Sequence, residues 1–208
     1  QNEVIMLFNF YRINAPAPVA QFLLAGLAAR FLAQHPGVSI EITADAAKTD
    51  IVREGYDAGV RIDKDLQQVM VAVRIGAPQR YAVVGAPAYF SRRALPKSPR
   101  DLLGHDCIQR RFPGGGLQPW DFQRRHKAPD TGTPRLVVND AQVAVNAAVA
   151  GGGLAYVHEK YVERELQAGE LVRVLEAWSP GIGPPYLYYP RQRYLSAAMR
   201  AFVDFCRA

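Results

Sequence analysis

The residues best suited to hold a small charged molecule are two arginines, Arg61 and Arg111, each closing a run that reads as a β-strand. A guanidinium is planar and permanently charged, and it can grip a carboxylate through two parallel hydrogen bonds. For Arg61 the competing role is an ion pair with Asp57 or Asp63. Arg111 opens the run Arg111-Phe112-Pro113-Gly114-Gly115-Gly116. Gly114 and its neighbours leave backbone amides open to close approach, and Phe112 offers an apolar cover; the competing reading is a flexible loop. A second point of approach is the segment Asn14, Ala15, Pro16, Ala17 and Pro18, between a strand and the start of a helix. Free amides and the helix dipole at such a place attract a carboxylate. Pro16 and Pro18 each lack an N–H, however, and a rigid helix start explains the same residues equally well. Asn139 and Asp140 precede another helix, with Asp140 as its N-cap and Asn139 freer to meet a ligand. Tyr156 closes a strand, where it either lines a site or packs in a core.

Catalytic patterns are missing from the chain. His35, His105, His126 and His158 are scattered without the spacing of a zinc site. No GxSxG nucleophile turn occurs. The glycine run is followed by no Lys-Ser/Thr pair and fits neither a phosphate loop nor a dinucleotide fingerprint. Glu163 and Glu165 flank Arg164 as on a solvated helix face, and Trp120 and Trp178 suit packing better than ligand stacking. A binding protein with no catalytic residues, metal or cofactor is the expectation.

The elements that would carry these residues alternate between strand and helix. Tyr11 to Asn14 reads as a strand. A helix follows, from Val19 to Ala33, with Val19, Phe22, Leu23, Leu27 and Phe31 on one face at helical spacing. Pro36-Gly37 ends it, and Val38, Ile40 and Ile42 alternate with polar residues as in a half-buried strand. Thr49 to Glu54 is expected as a short helix and Asp57 to Arg61 as a strand, completing the β-α-β-α-β grammar of a helix-covered parallel sheet. Gly76 and Pro78 punctuate the strand-like run from Val69, marking a crossing into a second lobe. That lobe repeats the grammar: a helix over Pro87 to Leu95, strands at Cys107 to Arg111 and Leu136 to Val138, a helix from Asp140 to Ala150, a strand over Leu154 to Val157, a helix from Glu159 to Gln167 and a strand over Leu171 to Leu175. A Pro/Gly-rich return leads to a strand at Tyr186 to Tyr189. The last helix, Ser196 to Arg207, sets Met199, Phe202, Val203 and Cys206 on one face. Ligands of open α/β lobes bind outside the carboxyl ends of the strands, so Arg61 and Arg111 are expected to face a cleft between the two lobes.

The 208 residues carry a net charge of +6, with 49% hydrophobic and 21% charged residues, ordinary values for a globular chain. The basic residues are dispersed, and the densest run, Arg124 to Lys127, reads as a solvated turn. Direct DNA binding by this chain is therefore not expected, and the excess charge better suits attraction of small anions. No apolar run is expected to reach the length of a membrane span, and no signal-peptide pattern is seen. Cys107 and Cys206 lie far apart without CxxC partners, as in a reducing compartment; a thiol-based peroxide sensor is the sharper alternative.

Four stretches carry a family resemblance. They are Arg30-Phe31-Leu32 with His35-Pro36-Gly37-Val38; the run from Asp50 to Arg61; Val84 to Phe90 with the Pro99 to Cys107 stretch; and Asn139-Asp140 with the Ala-rich helix, Gly151 to Tyr156 and Gly169 to Leu175. In this order and spacing the chain resembles the effector-binding (substrate-binding) domain of LysR-type transcriptional regulators. The resemblance implies an α/β fold of two Rossmann-like lobes, type 2 periplasmic-binding-protein-like, with residues 1–75 and 177–208 in the first lobe and 76–176 in the second. It implies a small effector, anionic by the charge argument, bound in the inter-lobe cleft, with Asn14 to Ala17, Arg61, Arg111, Phe112, Gly114, Asn139, Asp140 and Tyr156 as the contacting set. It also implies a cytoplasmic homodimer or homotetramer, no membrane partner, and promoter DNA bound through an N-terminal helix-turn-helix domain that this chain lacks. In that family a helix of one lobe lies against the other lobe of its partner, and Val19 to Ala33 is the candidate here, with Leu24 at the margin of its core-facing stripe. This chain departs from the family pattern at Ile62-Asp63-Lys64, where a glycine is usual, and at Ala15 to Ala17, where Ser or Thr is common. A periplasmic solute-binding protein of the same fold is the rival reading.

Overall fold

The computed structural model describes residues 9–45, 50–62, 70–122, 131–179, 181–191 and 195–207. In chain order the elements are β1 (Asn9–Ala15), α1 (Ala17–Val19), a π-helical stretch (Ala20–Leu24), α2 (Ala25–Gln34), β2 (Val38–Ala44), β3 (Ala58–Arg61), β4 (Met70–Arg74) and β5 (Gln79–Gly85). There follow α3 (Pro87–Phe90), a 3-10 turn (Pro99–Gly104), β6 (Cys107–Arg110), β7 (Leu136–Val138), α4 (Ala141–Val149), β8 (Leu154–His158), a 3-10 turn (Glu159–Tyr161) and α5 (Glu163–Gln167). The chain ends with β9 (Val172–Val174), a 3-10 turn (Glu176–Trp178), β10 (Gly181–Gly183), β11 (Tyr186–Pro190) and α6 (Ala197–Arg207). The chain divides into two compact units, residues 1–78 with 183–208, and residues 79–182.

In unit 1 the described strands form a sheet in the order β2-β1-β3-β11-β4. β1 runs parallel to β2 and β3, while β11 lies antiparallel to β3 and β4. The parallel half comes from the β-α-β connection, and the returning C-terminal segment supplies the antiparallel strand. The core joins Ile13, Val19, Leu24, Leu27 and Phe31 to Leu187, Met199, Phe202 and Val203. Phe31 meets Phe202 edge to face at 5.1 Å, which ties α2 to α6. The last helix thus buries the face expected of it: Met199, Phe202, Val203 and Cys206 are all buried.

Unit 2 repeats the plan with a sheet ordered β10-β5-β8-β6-β7, β9 pairing with β5. β6 is parallel to β7 and β8, and β5 is antiparallel to β8 and β9. One face is covered by α4 through Ala141, Ala144, Val145 and Ala148, small residues that let helix and sheet approach closely. The other carries Tyr89, Trp120, Phe122 and Tyr156.

Several sequence expectations change at this level. The first long helix starts at Ala17 rather than Val19 and passes through a π-helical stretch at Ala20 to Leu24. That extra residue per turn rotates the pattern. Leu24 is fully buried rather than marginal, and Phe22 is 45% exposed rather than core-facing. Contrary to expectation, the 18 residues Ala17–Gln34 are apolar and long enough to cross a bilayer. Their Val19, Leu24, Leu27 and Phe31 nevertheless form the core of unit 1. The helix expected to end at Glu54 is, over its described residues, a single turn. Asp50 caps it by accepting from the amides of Val52 and Arg53. α3 stops at Phe90 rather than Leu95, and the expected helix at Glu159 to Gln167 breaks at Val162 into a 3-10 turn and α5.

Candidate functional site

In unit 1, Asn14 and Ala15 are the last residues of β1, in register with Thr43 of β2, and Asn14 also with Gly59 of β3. Both are buried. Pro16 stands at the helix N-cap, Ala17 and Pro18 follow inside the helix, and the Ala20 amide closes the first turn onto the Pro16 carbonyl at 2.9 Å. The Asp45 amide donates to the Ala15 carbonyl, holding the chain after β2 beside this turn. Asn14 is 3% exposed, and its Nδ2 has no hydrogen-bond partner among the described residues. Buried amide groups are nearly always paired, with protein, water or ligand.

Arg61 closes β3 at its carboxyl end, as expected. Its Nε donates to the Tyr188 hydroxyl at 3.2 Å, and its guanidinium lies 5.5 Å from the centre of the Tyr188 ring. Tyr188 can lie there because Gly59 faces it: a Cβ on Gly59 would come within 2.4 Å of the ring. Of the two carboxylates considered as partners, Asp57 accepts from the Arg12 amide at 2.8 Å. Asp63 and Lys64 lie outside the described residues, as do the basic run 124–127 and His126.

In unit 2 the glycine loop is more ordered than a free amide cradle. The Phe112 amide donates to the Gly116 carbonyl and the Gly115 amide to the Phe112 carbonyl, with Gly115 in the left-handed region at φ 87°. The Arg111 guanidinium turns back and donates to the Gly115 carbonyl at 2.6 Å. Gly114 stays exposed at the loop tip. The guanidinium over the Phe112 ring, at 5.3 Å, belongs to Arg110, the last residue of β6. Arg110 Nε is buried without a hydrogen-bond partner among the described residues. At Tyr81 its charge and a side-chain hydrogen bond, and at Tyr161 its charge, oppose the rise that burial imposes on both phenols. Gln109 and Gln118 bring two more buried oxygens, each an Oε1, without partners among the described residues. Gln109 donates to the Thr131 hydroxyl at 2.7 Å, and the Gln118 amide donates to the Arg110 carbonyl at 2.7 Å.

Sequence reading missed Arg110, Gln109 and Gln118. The available signal was two adjacent arginines at a strand end, where alternation points one of them inward. Asp140 caps α4 by accepting from the Val143 amide at 3.0 Å, the structural role expected of it. Asn139 is exposed beside it. Tyr156 does not close its strand, because β8 runs on to His158. Its ring is buried, stacked on Tyr81 at 4.7 Å and Trp120 at 5.5 Å, and its hydroxyl donates to the Asp121 carbonyl. Burial raises its pKa. Tyr156 is thus packed in the core of unit 2.

Burial also pushes both thiols, Cys107 and Cys206, up to about 12, with the Asp106 carboxylate adding a little at Cys107. Among the described residues no group of three or more His, Cys, Asp or Glu is placed to hold a metal.

Two mixed α/β units with these sheet orders fit the type 2 periplasmic-binding-protein fold class. The family model for the LysR substrate binding domain matches residues 11–208. The chain belongs to that family. It is 35% identical over 195 residues to the HTH-type transcriptional regulator PgrR of Escherichia coli, covering 93% of this chain and 65% of that protein. It is 33% identical over 196 residues to the E. coli regulator YcaN, covering 94% and 64%. The chain thus spans just under two thirds of the length of these relatives. Among solved structures, the regulatory domain of AphB from Vibrio vulnificus matches with a TM-score of 0.81 at 20% identity, covering 95% of this chain and 98% of that one. The CrgA regulatory domain of Neisseria meningitidis matches at 0.74, also at 20% identity, covering 96% and 97%. These likenesses give no support to the solute-binding rival.

Proposed function

We propose that this chain is the ligand-sensing domain of a LysR-type transcription regulator and that it binds a small, partly apolar anionic effector. The observation that carries the reading is the set of buried polar atoms without partners among the described residues at the carboxyl ends of parallel strands, Asn14 Nδ2 in unit 1 and Arg110 Nε in unit 2. Leaving such groups unpaired costs roughly 1–3 kcal/mol each. A fold retains them where a ligand completes them. Arg61 and Arg111 supply further charge, while Phe112 and the Pro16-Ala17 turn supply apolar contact. Asn139 and Gly114 are exposed at the same edge of unit 2, and Asp140 serves there through its cap. The domain has no catalytic role in this reading and needs no cofactor.

In the whole protein, effector binding would bias contact with promoter DNA through a separate N-terminal domain, in the cytoplasm. Self-association is supported by apolar residues left exposed on both units: Phe10 and Phe22 on unit 1, Leu136, Val137 and Val143 on unit 2. β2 and β7 are edge strands of their sheets.

The test is a thermal-shift screen of small aromatic and aliphatic acids, repeated on Arg61→Ala, Arg110→Ala and Arg111→Ala. A charged hydrogen bond contributes roughly 1.5–3 kcal/mol, so removing an anchoring arginine should weaken the best acid about tenfold or more. Best ligands that are neutral or cationic, or that bind all three variants as well as the parent, would overturn the anionic reading.

A further inference from the structure

Unit 2 carries a second cationic concavity, at the opposite edge of its sheet. β6, β7 and β8 run parallel, and Asp106 and Arg135 stand immediately before the first residues of β6 and β7, with Gly151 and Gly152 just ahead of β8. Together with Tyr89, Arg92 and Arg93 at the end of α3 they line a cavity of about 650 Å³. The groups assigned above to the effector, Arg110, Arg111 and Asn139, stand at or just beyond the carboxyl ends of β6 and β7. The two places are therefore separated by the length of the strands.

Three guanidiniums here face one carboxylate. Asp106 pairs with Arg93 at 3.1 Å and more loosely with Arg135 at 3.7 Å. The Arg92 side chain has no partner among the described residues. The frame is fixed by several independent bonds. Arg93 donates to the Gly104 carbonyl at 2.5 Å and lies 5.8 Å from the centre of the Tyr89 ring. The Tyr89 hydroxyl accepts from the Asp106 amide at 2.9 Å, and the Asp106 carbonyl accepts from the Leu154 amide at 2.8 Å. That last approach requires Gly153, with φ at 138°, because a Cβ there would sit 2.1 Å from the Asp106 oxygen. The end of α4 also points this way, and its carbonyls would repel an anion if exposed. They are covered: the Gly151 amide donates to Ala148 and the Gly152 amide to Ala147. What remains open to a ligand is an excess of rigidly based guanidinium charge.

We propose that this concavity binds a multiply charged oxyanion, with the geometry of a phosphate group, as a second ligand site of the domain. Forked guanidinium donors match tetrahedral oxyanions, and dianions gain most from the charge excess. The source is either the free ion or a phosphate monoester of a small molecule.

The test is calorimetric titration of the 208-residue chain with inorganic phosphate and with phenyl phosphate, at constant ionic strength set by sodium chloride. Saturable one-to-one binding is expected, weakened at least tenfold in Arg92→Gln and in Arg135→Gln, whose exposed side chains can change without disturbing the core, and unchanged in Arg164→Gln, an exposed arginine of α5 outside the cavity. Tighter binding of the ester assigns the site to a phosphorylated small molecule, and tighter binding of phosphate to the free ion; both uphold the site. Absence of saturable binding by either anion, binding in Arg92→Gln and Arg135→Gln equal to that of the parent, or an equal loss of binding in Arg164→Gln would each overturn it.

Discussion

Replacing Asn14 by leucine separates ligand binding from stability, because the residue serves the two in opposite directions. Its side chain is 3% exposed at the end of β1, and its Nδ2 finds no acceptor among the described residues. An unpaired buried donor destabilises a fold by roughly 1–3 kcal/mol. Leucine has nearly the same branched shape, so repacking should cost less than about 1.5 kcal/mol. The net expectation for the unliganded chain is a gain of about 1 kcal/mol, read as a rise in Tm of about 2–4 °C for a chain of this size. The same variant loses the donor proposed to meet the effector. The best acid from the screen should bind it at least tenfold more weakly, which corresponds to about 1.4 kcal/mol. Urea melts with and without that acid measure both quantities on one sample. A fall in unliganded stability of 1 kcal/mol or more, with acid binding unchanged, would show that the Asn14 amide is a satisfied structural group and would refute the reasoning.

Further outcomes follow from burial and charge. His158 is buried, with its Nε2 2.8 Å from Gln79 Oε1 and its Nδ1 accepting from the Lys160 amide, and burial lowers its pKa from 6.5 to about 4. The unfolded chain therefore takes up a proton near pH 6.5 that the folded chain refuses until about pH 4. Stability is complete above 6.5 and falls by roughly 3 kcal/mol as pH drops through that window. His105, also lowered by burial, adds in the same direction. Denaturation at pH 7 and pH 4.5 should show the slope, and His158→Gln should remove most of it; an unchanged slope would contradict the assignment. Leu24→Glu places a carboxylate in the core of unit 1 and should unfold it, whereas Phe10→Glu and Val143→Glu, both at exposed positions, should weaken self-association in sedimentation without lowering Tm. Assembly unaffected by both surface changes would remove these residues from the interface. The two buried thiols, held near 12, should react with a disulfide reagent at pH 8 only after denaturant is added; prompt native labelling would reverse that.

How far the sequence is readable differs by element, and for physical reasons. The strand β2 and the helix α6 are legible because apolar residues recur along the sequence at fixed periods, two for a strand and about three and a half for a helix. Met199, Phe202, Val203 and Cys206 obey that rule and are buried together. Leu24 breaks it because the π-helical stretch at Ala20 to Leu24 turns the helix by an extra residue, and no propensity marks such a stretch in advance. Placement of Arg61 and of the Asn14 to Ala17 turn follows from the rule that strands end where ligands bind. Their partners do not follow from it: the hold of Tyr188 on Arg61 depends on the register of β11, a strand more than a hundred residues downstream.

The arginine pair at the end of β6 shows where local reading stops. Arg110 and Arg111 are equivalent by type and differ only in which face of the strand each leaves. Alternation puts them on opposite sides, but the choice of inner side is set by Phe112, whose ring lies 5.3 Å from the Arg110 guanidinium, and by the turn that draws Arg111 onto the Gly115 carbonyl. The Arg111 guanidinium must give up its bond to the Gly115 carbonyl to meet an anion, whereas Arg110, itself bonded to Tyr81, still has a buried Nε without a partner among the described residues to offer. Of the two, Arg110→Ala should therefore produce the larger loss of acid binding. A larger loss in Arg111→Ala would mean that the Gly114 loop opens on binding and hands its arginine to the ligand.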